Sequence, residues 1–212
     1  MKHAMKRAGT AAILAGLLAL PSIALGGALE TPASPVATTT GTIALTYSVT
    51  CDPGAGGIIA CPCANPPSGP GRGCDNFGTM TGGASIIAPG NSSLANDTVL
   101  LTVSGENSTA LTVFFQGRDP LSTTGIVTAA GVRCVSNNLK RLYTGNASGG
   151  AIVRPSMGGV SVSQRSAQVG APIVPGQVRH YFTIYRDSLA AVPCGSTADT
   201  VNLTNVASVL WL

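Results

Sequence analysis

Alternating hydrophobic and polar positions dominate the second half of the chain. Valine, leucine and phenylalanine recur at every second position in 98–104 and 109–116. The alternation is longest in Val178–Arg186. A period of two is typical of a β-strand with one buried face. The four residues 105–108 between the first two segments have the length of a hairpin connection.

Several shorter segments carry the same kind of signal. They are 42–50, 84–88, 139–143, 151–154, 160–163 and 206–212. No convincing amphipathic helix is found, and 189–192 could form one helical turn at most. About eight to ten short strands with frequent turn signals predict an all-β protein, an antiparallel β-sandwich or jelly-roll-like single domain. Its body is expected to span 83–212.

The longest strand has two distinct faces. We expect Val178, His180, Phe182 and Ile184 to face the core. The opposite face would then carry a candidate ligand-binding set, which is Arg179, Tyr181, Thr183 and Tyr185. Exposed tyrosines can stack on a sugar ring while arginine and threonine donate hydrogen bonds. The alternative is that a second sheet covers them.

The N-terminus carries an export signal. A basic start is followed by an apolar run and then by small residues, which predicts a signal peptide over 1–28. The apolar run is shorter than the ~20 residues of a membrane span. Residues 29–41 lack periodicity and are interpreted as a linker. We therefore expect a secreted, extracellular protein with no membrane anchor after cleavage.

Charge argues against nucleic acid as a partner. Without Lys2, Lys6 and Arg7, nine of the 12 basic residues remain against eight acidic ones, a net charge of +1. The remaining basic residues are dispersed along the sequence and form no cluster of the kind that binds phosphates. Extracellular glycans or cell-surface components are the partners that remain as expectations.

The six cysteines predict disulfides. Four of them, Cys51, Cys61, Cys63 and Cys74, lie in a Gly- and Pro-rich segment within 42–82 that has too few apolar side chains for a core of its own. In an oxidising compartment, six cysteines favour three bonds. We expect this segment to be held in shape by cross-links and to pack on the domain.

If the four early cysteines pair among themselves, their spacing leaves two patterns. Either Cys51 pairs with Cys61 and Cys63 with Cys74, or Cys51 pairs with Cys63 and Cys61 with Cys74. Both leave Cys134 to pair with Cys194, closing a loop of about 60 residues worth roughly 4 kcal/mol. The competing interpretation is a four-thiolate zinc site, for which only one pair is closely spaced.

The sequence gives little support for a catalytic site or a metal site. The part after the predicted signal peptide has a single histidine, His180, which alternates with core positions, and its acids are scattered singly. We expect no catalytic residues and no cofactor. Calcium held by Asp52, Asp75 and loop carbonyls is the alternative, although such residues more often cap their own turns.

From Cys51 to Leu212 the chain resembles an uncharacterised family of secreted bacterial proteins that also occurs as a C-terminal module of larger exported proteins. The matching motifs include Ala60-Cys61-Pro62-Cys63-Ala64-Asn65, Gly71-Arg72-Gly73-Cys74-Asp75-Asn76, Phe114-Phe115-Gln116-Gly117, Gly131-Val132-Arg133-Cys134, Tyr185-Arg186-Asp187, Asn202-Leu203-Thr204-Asn205 and Trp211. Two positions depart from the pattern: Asp52-Pro53-Gly54 replaces Gly-Asp-Gly, and Ile184 replaces a tryptophan. The resemblance implies an exported β module and no particular activity.

Two functions are therefore carried forward as hypotheses. The first is a non-catalytic extracellular module of structural or adhesion type. The second is a carbohydrate-binding module that uses the tyrosines of Val178–Arg186. Exposure of those tyrosines separates the two hypotheses.

Overall fold

A computed structural model describes residues 46–119, 121–135, 138–187 and 200–212. All of these belong to the unit Ile43–Leu212. The predicted signal peptide, the linker, the helical turn at 189–192 and Cys194 lie outside the described residues.

Strands make up almost all of the regular structure in these described ranges. In chain order the elements are β1 (Tyr47–Thr50), β2 (Ser85–Ile87), β3 (Leu101–Ser104), β4 (Leu111–Gly117), β5 (Leu121–Thr128), β6 (Gly131–Val135), β7 (Lys140–Asn146), β8 (Ala151–Arg154), α1 (Val162–Gln168), β9 (Val178–Arg186), β10 (Val201–Leu203) and β11 (Val206–Leu210). Every pairing between these strands is antiparallel. The predicted all-β antiparallel class is confirmed.

The strands form a sandwich around a central six-stranded sheet. Its order is β1–β11–β9–β4–β7, and β10 pairs with β9. A three-stranded sheet, β2–β3–β8, packs on one face of the central sheet. This core joins Ile86 and Leu101 to Phe114, Tyr181 and Trp211, all fully buried. Burial of each such large side chain stabilises the fold by about 1.5–3 kcal/mol.

The hairpin β5–β6 covers the other face of the central sheet. Val132 and Val135 of β6 pack against Phe182 of β9. Ile58 and Ile59 of the cysteine-rich segment join the same cluster. Strand β9 is therefore covered on both faces, which explains why its burial does not follow the simple alternation of its sequence.

The predicted connection at 105–108 is not a hairpin turn. β3 pairs with β2 and β8, whereas β4 pairs with β7 and β9. Residues 105–108 therefore carry the chain from one sheet to the other. Gly105 makes this passage with a φ of +84°, in the left-handed region that favours glycine. The prediction of a β3–β4 hairpin was wrong.

A short helix stands where a strand was predicted at 160–163. Ser161 caps α1, and its hydroxyl accepts a hydrogen bond from the backbone N–H of Gln164. Only Val162 and Ser166 are buried on this helix. A helix of two turns with one apolar anchor has no amphipathic stripe, so its periodicity could not reveal it.

The cysteine-rich segment is cross-linked, but not as predicted. Residues 51–84 form no helix or strand. Cys61 bonds to Cys74, as one predicted pattern had it, whereas Cys51 bonds to Cys134. Cys63 is also disulfide-bonded.

Neither predicted pattern is therefore correct as a whole. The bonds also exclude the pairing of Cys134 with Cys194 and the zinc site. The physical reason is tertiary. The segment runs along the hairpin β5–β6, where the Ile59 N–H donates to the Thr124 carbonyl at 2.8 Å. This places the end of β1 beside β6 rather than beside the cysteines that are nearest in sequence.

Candidate functional site

The predicted ligand-binding face of β9 is buried. The exposed fractions are 4% for Arg179 and 0% for Tyr181, Thr183 and Tyr185. The Tyr181 hydroxyl accepts a hydrogen bond from Trp211 Nε1 at 3.1 Å, inside the core between the sheets. A sugar ring therefore has no access to these tyrosines. The predicted exposed aromatic surface is absent from β9 because the three-stranded sheet covers that face.

His180 lies on the opposite, half-buried face of β9. Its Nδ1 is 2.8 Å from the Ser208 hydroxyl on β11. Burial, and secondarily the positive charge of Arg179, lowers the pKa of His180 below its ordinary value. The imidazole is therefore kept neutral by its surroundings and bound to a neighbouring strand.

A cluster of acidic and amide side chains fixes the cysteine-rich segment to the sheets. The carboxylate of Asp187 accepts hydrogen bonds from the backbone N–H groups of Phe77 at 2.9 Å and Gly78 at 3.1 Å. Asn202 donates to the carbonyls of Cys74 and Asp75. These motif residues act as structural clamps that satisfy backbone groups of an irregular segment.

The two acids considered for calcium are used in the same way. Asp52 Oδ1 accepts from the Gly71 N–H at 2.6 Å. Asp75 Oδ1 accepts from the N–H groups of Gly82 at 2.7 Å and Gly83 at 3.0 Å. Among the described residues, no group of three or more potential metal ligands is found.

Among the described carboxyl groups, Glu106 has the pKa that is shifted most from its ordinary value. It is 1% exposed, and its oxygens accept hydrogen bonds from the hydroxyls of Thr112 and Thr183. Burial raises its pKa from 4.5 to about 7, more than the two hydroxyls lower it. The buried Tyr185 hydroxyl lies in the same region, and burial together with the carboxylates of Asp187 and Glu106 raises the pKa of that phenol.

The surface feature with the clearest chemistry is a basic groove that the sequence analysis did not find. It has a volume of about 500 Å³ and lies between β7, the chain that follows β8, and α1. Its lining includes Arg141, Arg154 and Arg165, together with Tyr143, Ser156 and Gln168. We call it the arginine groove.

Two of the three arginines are held in place by hydrogen bonds to protein groups in or beside the groove. Arg165 donates from Nε to the Leu142 carbonyl at 2.7 Å and from Nη1 to Gln168 Oε1 at 3.1 Å. Arg154 donates to the carbonyls of Val153 at 3.1 Å and Thr144 at 3.4 Å. The third, Arg141, is exposed at the edge.

No spacing in the sequence could have revealed this groove. Its arginines come from β7, β8 and α1 and meet only after the chain has folded. The nearest thing to a signal is Gly145, the residue before the last in β7. A Cβ atom at that position would lie 1.9 Å from Arg154 Nη2, so the absent side chain leaves room for the guanidinium.

Comparison with known proteins finds no relative of this chain. No family model, no curated protein and no solved structure matches this chain. The resemblance to secreted bacterial modules therefore stays a prediction. Within the described ranges, no helix is both long and apolar enough to cross a bilayer.

Proposed function

We propose that this protein is an exported, non-catalytic β module of adhesion type. The observation that carries the proposal is the use of its polar motif residues as structural clamps. A catalytic acid or base has to keep an atom within reach of substrate. Asp75, Asp187 and Asn202 instead direct their side chains to backbone groups of the cysteine-rich segment.

A fourth motif residue joins the two main sheets. Asn205 Oδ1 accepts from the Ile86 N–H at 2.7 Å, and its Nδ2 donates to the Ile86 carbonyl at 3.2 Å. This side chain completes the backbone pairing of β2 from the opposite sheet. Such a residue supports rigidity of the body, which a surface module needs to present a binding face.

The disulfides support an extracellular setting. Bonds such as Cys51–Cys134 and Cys61–Cys74 form and persist in oxidising compartments. They cross-link a segment that forms no helix or strand of its own. Export directed by residues 1–28 is the part of the proposal that supplies this compartment.

The test uses the exported protein purified with its disulfides intact. Labelled protein is incubated with the producing cells and with their extracellular polysaccharide, and the fraction that sediments is measured. We expect saturable sedimentation and no turnover across a panel of ester, peptide and glycoside substrates. Failure to sediment with either material, or a hydrolytic activity that disappears in His180→Ala, would overturn the proposal.

A further inference from the structure

We propose that the arginine groove binds an acidic polysaccharide through its carboxylate groups. The inference rests on the proposed adhesion function. It takes the arginine groove as the surface that performs adhesion and names the class of ligand that the groove binds. It is carried by three guanidinium groups in one groove, by the hydrogen bonds that hold two of them in position, and by the polar neutral groups beside them.

The concentration of charge in this groove is the first argument. After the predicted signal peptide the chain has nine basic residues, and three of them line this one groove. Among the described residues, none that lines the groove carries a carboxylate. Asp97, which lines the neighbouring groove, directs its carboxylate to the backbone N–H groups of Val99 at 2.9 Å and Ser163 at 2.7 Å. The groove therefore presents positive charge in a nearly neutral protein.

The second argument is preorganisation. Arg154 and Arg165 each donate two of their N–H groups to the protein, and their other N–H groups can donate to a ligand. A guanidinium that is already held in position loses less conformational entropy when it binds. Arg154 occupies the space that Gly145 leaves open, so this position is built into the fold rather than adopted by chance.

The shape and neighbours of the groove favour a sugar polymer over other anions. A volume of about 500 Å³ falls within the ~300–1,000 Å³ of ordinary ligand sites. Ser156 and Gln168 supply neutral hydrogen-bonding groups suited to sugar hydroxyls. Guanidinium groups pair with carboxylates in a planar, two-bond geometry.

Single-stranded nucleic acid fits less well. Its binding sites combine positive charge with aromatic side chains on which successive bases stack. Tyr143 is the one aromatic residue among the described residues of the lining, and its hydroxyl donates a hydrogen bond to the Val160 carbonyl at 2.9 Å. The described part of the groove thus offers positive charge but no series of aromatic side chains on which bases could stack.

The test measures binding of the purified exported protein to polygalacturonate, a polymer of carboxylated sugars. Affinity electrophoresis and calorimetry are run with dextran as the uncharged polymer and single-stranded DNA as the alternative polyanion. We expect retardation by polygalacturonate and none by dextran. Affinity for polygalacturonate should exceed that for DNA and should weaken as salt is raised.

Three variants probe the groove directly. Arg141→Gln and Arg165→Gln each remove one cation, and each should weaken binding about tenfold, as expected for loss of one charge-assisted hydrogen-bonding group. Gly145→Ala keeps all three cations but displaces the Arg154 guanidinium, which is the movable end of a flexible side chain. It should weaken binding by a similar factor while circular dichroism and the melting temperature show a folded protein.

Arg118→Gln and Arg186→Gln are matched controls, since both side chains are exposed and neither lines the groove. They should bind like the wild type. The inference is overturned if polygalacturonate is not bound, if the groove variants bind as well as the controls, or if DNA binds more tightly with the same sensitivity to the variants. If the groove variants still sediment with cells as the wild type does, this inference is overturned but the adhesion function is not. If the wild type itself does not sediment, the adhesion function is overturned.

Discussion

Glu106 makes the stability of this protein fall as the pH rises toward neutrality. Burial raises its pKa from 4.5 to about 7 in the folded chain. Between these values the unfolded chain has released the proton while the folded chain still holds it. The contribution of Glu106 to stability is therefore fully present below pH 4.5 and is lost as the pH rises through about 7.

The size of the effect follows from the same two pKa values. Each tenfold change in proton concentration between pH 4.5 and about 7 changes the free energy of unfolding by about 1.4 kcal/mol, which gives roughly 3 kcal/mol in total. Urea unfolding at several pH values measures it. Trp211 is the single tryptophan and is fully buried, so its fluorescence reports the transition.

The variant Glu106→Gln isolates this contribution. His180 acts in the opposite direction, because its lowered pKa makes its contribution present above pH 6.5 and lost as the pH falls. Glutamine keeps the shape of the side chain and does not titrate. We expect Glu106→Gln to match the wild type within ~1 kcal/mol at pH 4.5 and to exceed it by roughly 2–3 kcal/mol at about pH 8.

The control is Asp119→Asn, at a partly exposed carboxylate that pairs with the side chain of Asn138. It should shift the stability by less than about 0.5 kcal/mol at either pH. A difference between the wild type and Glu106→Gln that is the same at pH 4.5 and pH 8 would refute the reasoning about burial.

Three further variants test how the cysteine-rich segment is fixed to the sheets. Asp187→Asn removes the charged acceptor of two loop N–H groups and should lower the free energy of unfolding by roughly 2 kcal/mol, measured with urea; an unchanged midpoint would contradict the clamp. Replacing Cys51 and Cys134 together by alanine opens a cross-link of sequence separation 83 and should cost roughly 4.5 kcal/mol, with a loss under ~1 kcal/mol as the contrary result. Gly73→Ala would place a Cβ atom 1.9 Å from the Leu203 carbonyl oxygen, a backbone atom that cannot move aside cheaply. It should lower stability by roughly 3 kcal/mol, and a wild-type melting temperature would show that this contact is not tight.

Much of the strand content could be predicted from alternation alone. β8 and β9 occur with the predicted bounds, because each is a clear run of β-forming residues ended by turn-forming residues. The faces of β9 could not be predicted. Alternation shows that two faces differ, but not that the hairpin covers one and the three-stranded sheet the other.

The strand pairing and the site depend on contacts that are distant in sequence. Residues 105–108 have hairpin length, yet the two flanking strands belong to different sheets because each finds longer-range partners. Cys51 likewise pairs across 83 positions. The arginine groove has the same origin, since Arg141, Arg154 and Arg165 stand on three separate elements.

The most direct test of adhesion through the arginine groove is a paired sedimentation experiment with the producing cells and their extracellular polysaccharide. Wild-type protein and the double variant Arg141→Gln/Arg165→Gln are compared at equal concentration and low salt, after both are shown to be folded. The wild type should sediment in a saturable way and the double variant should require at least about tenfold more protein for half-saturation. Equal sedimentation of the two proteins would contradict the role of the groove, and no sedimentation of either would contradict the adhesion function itself.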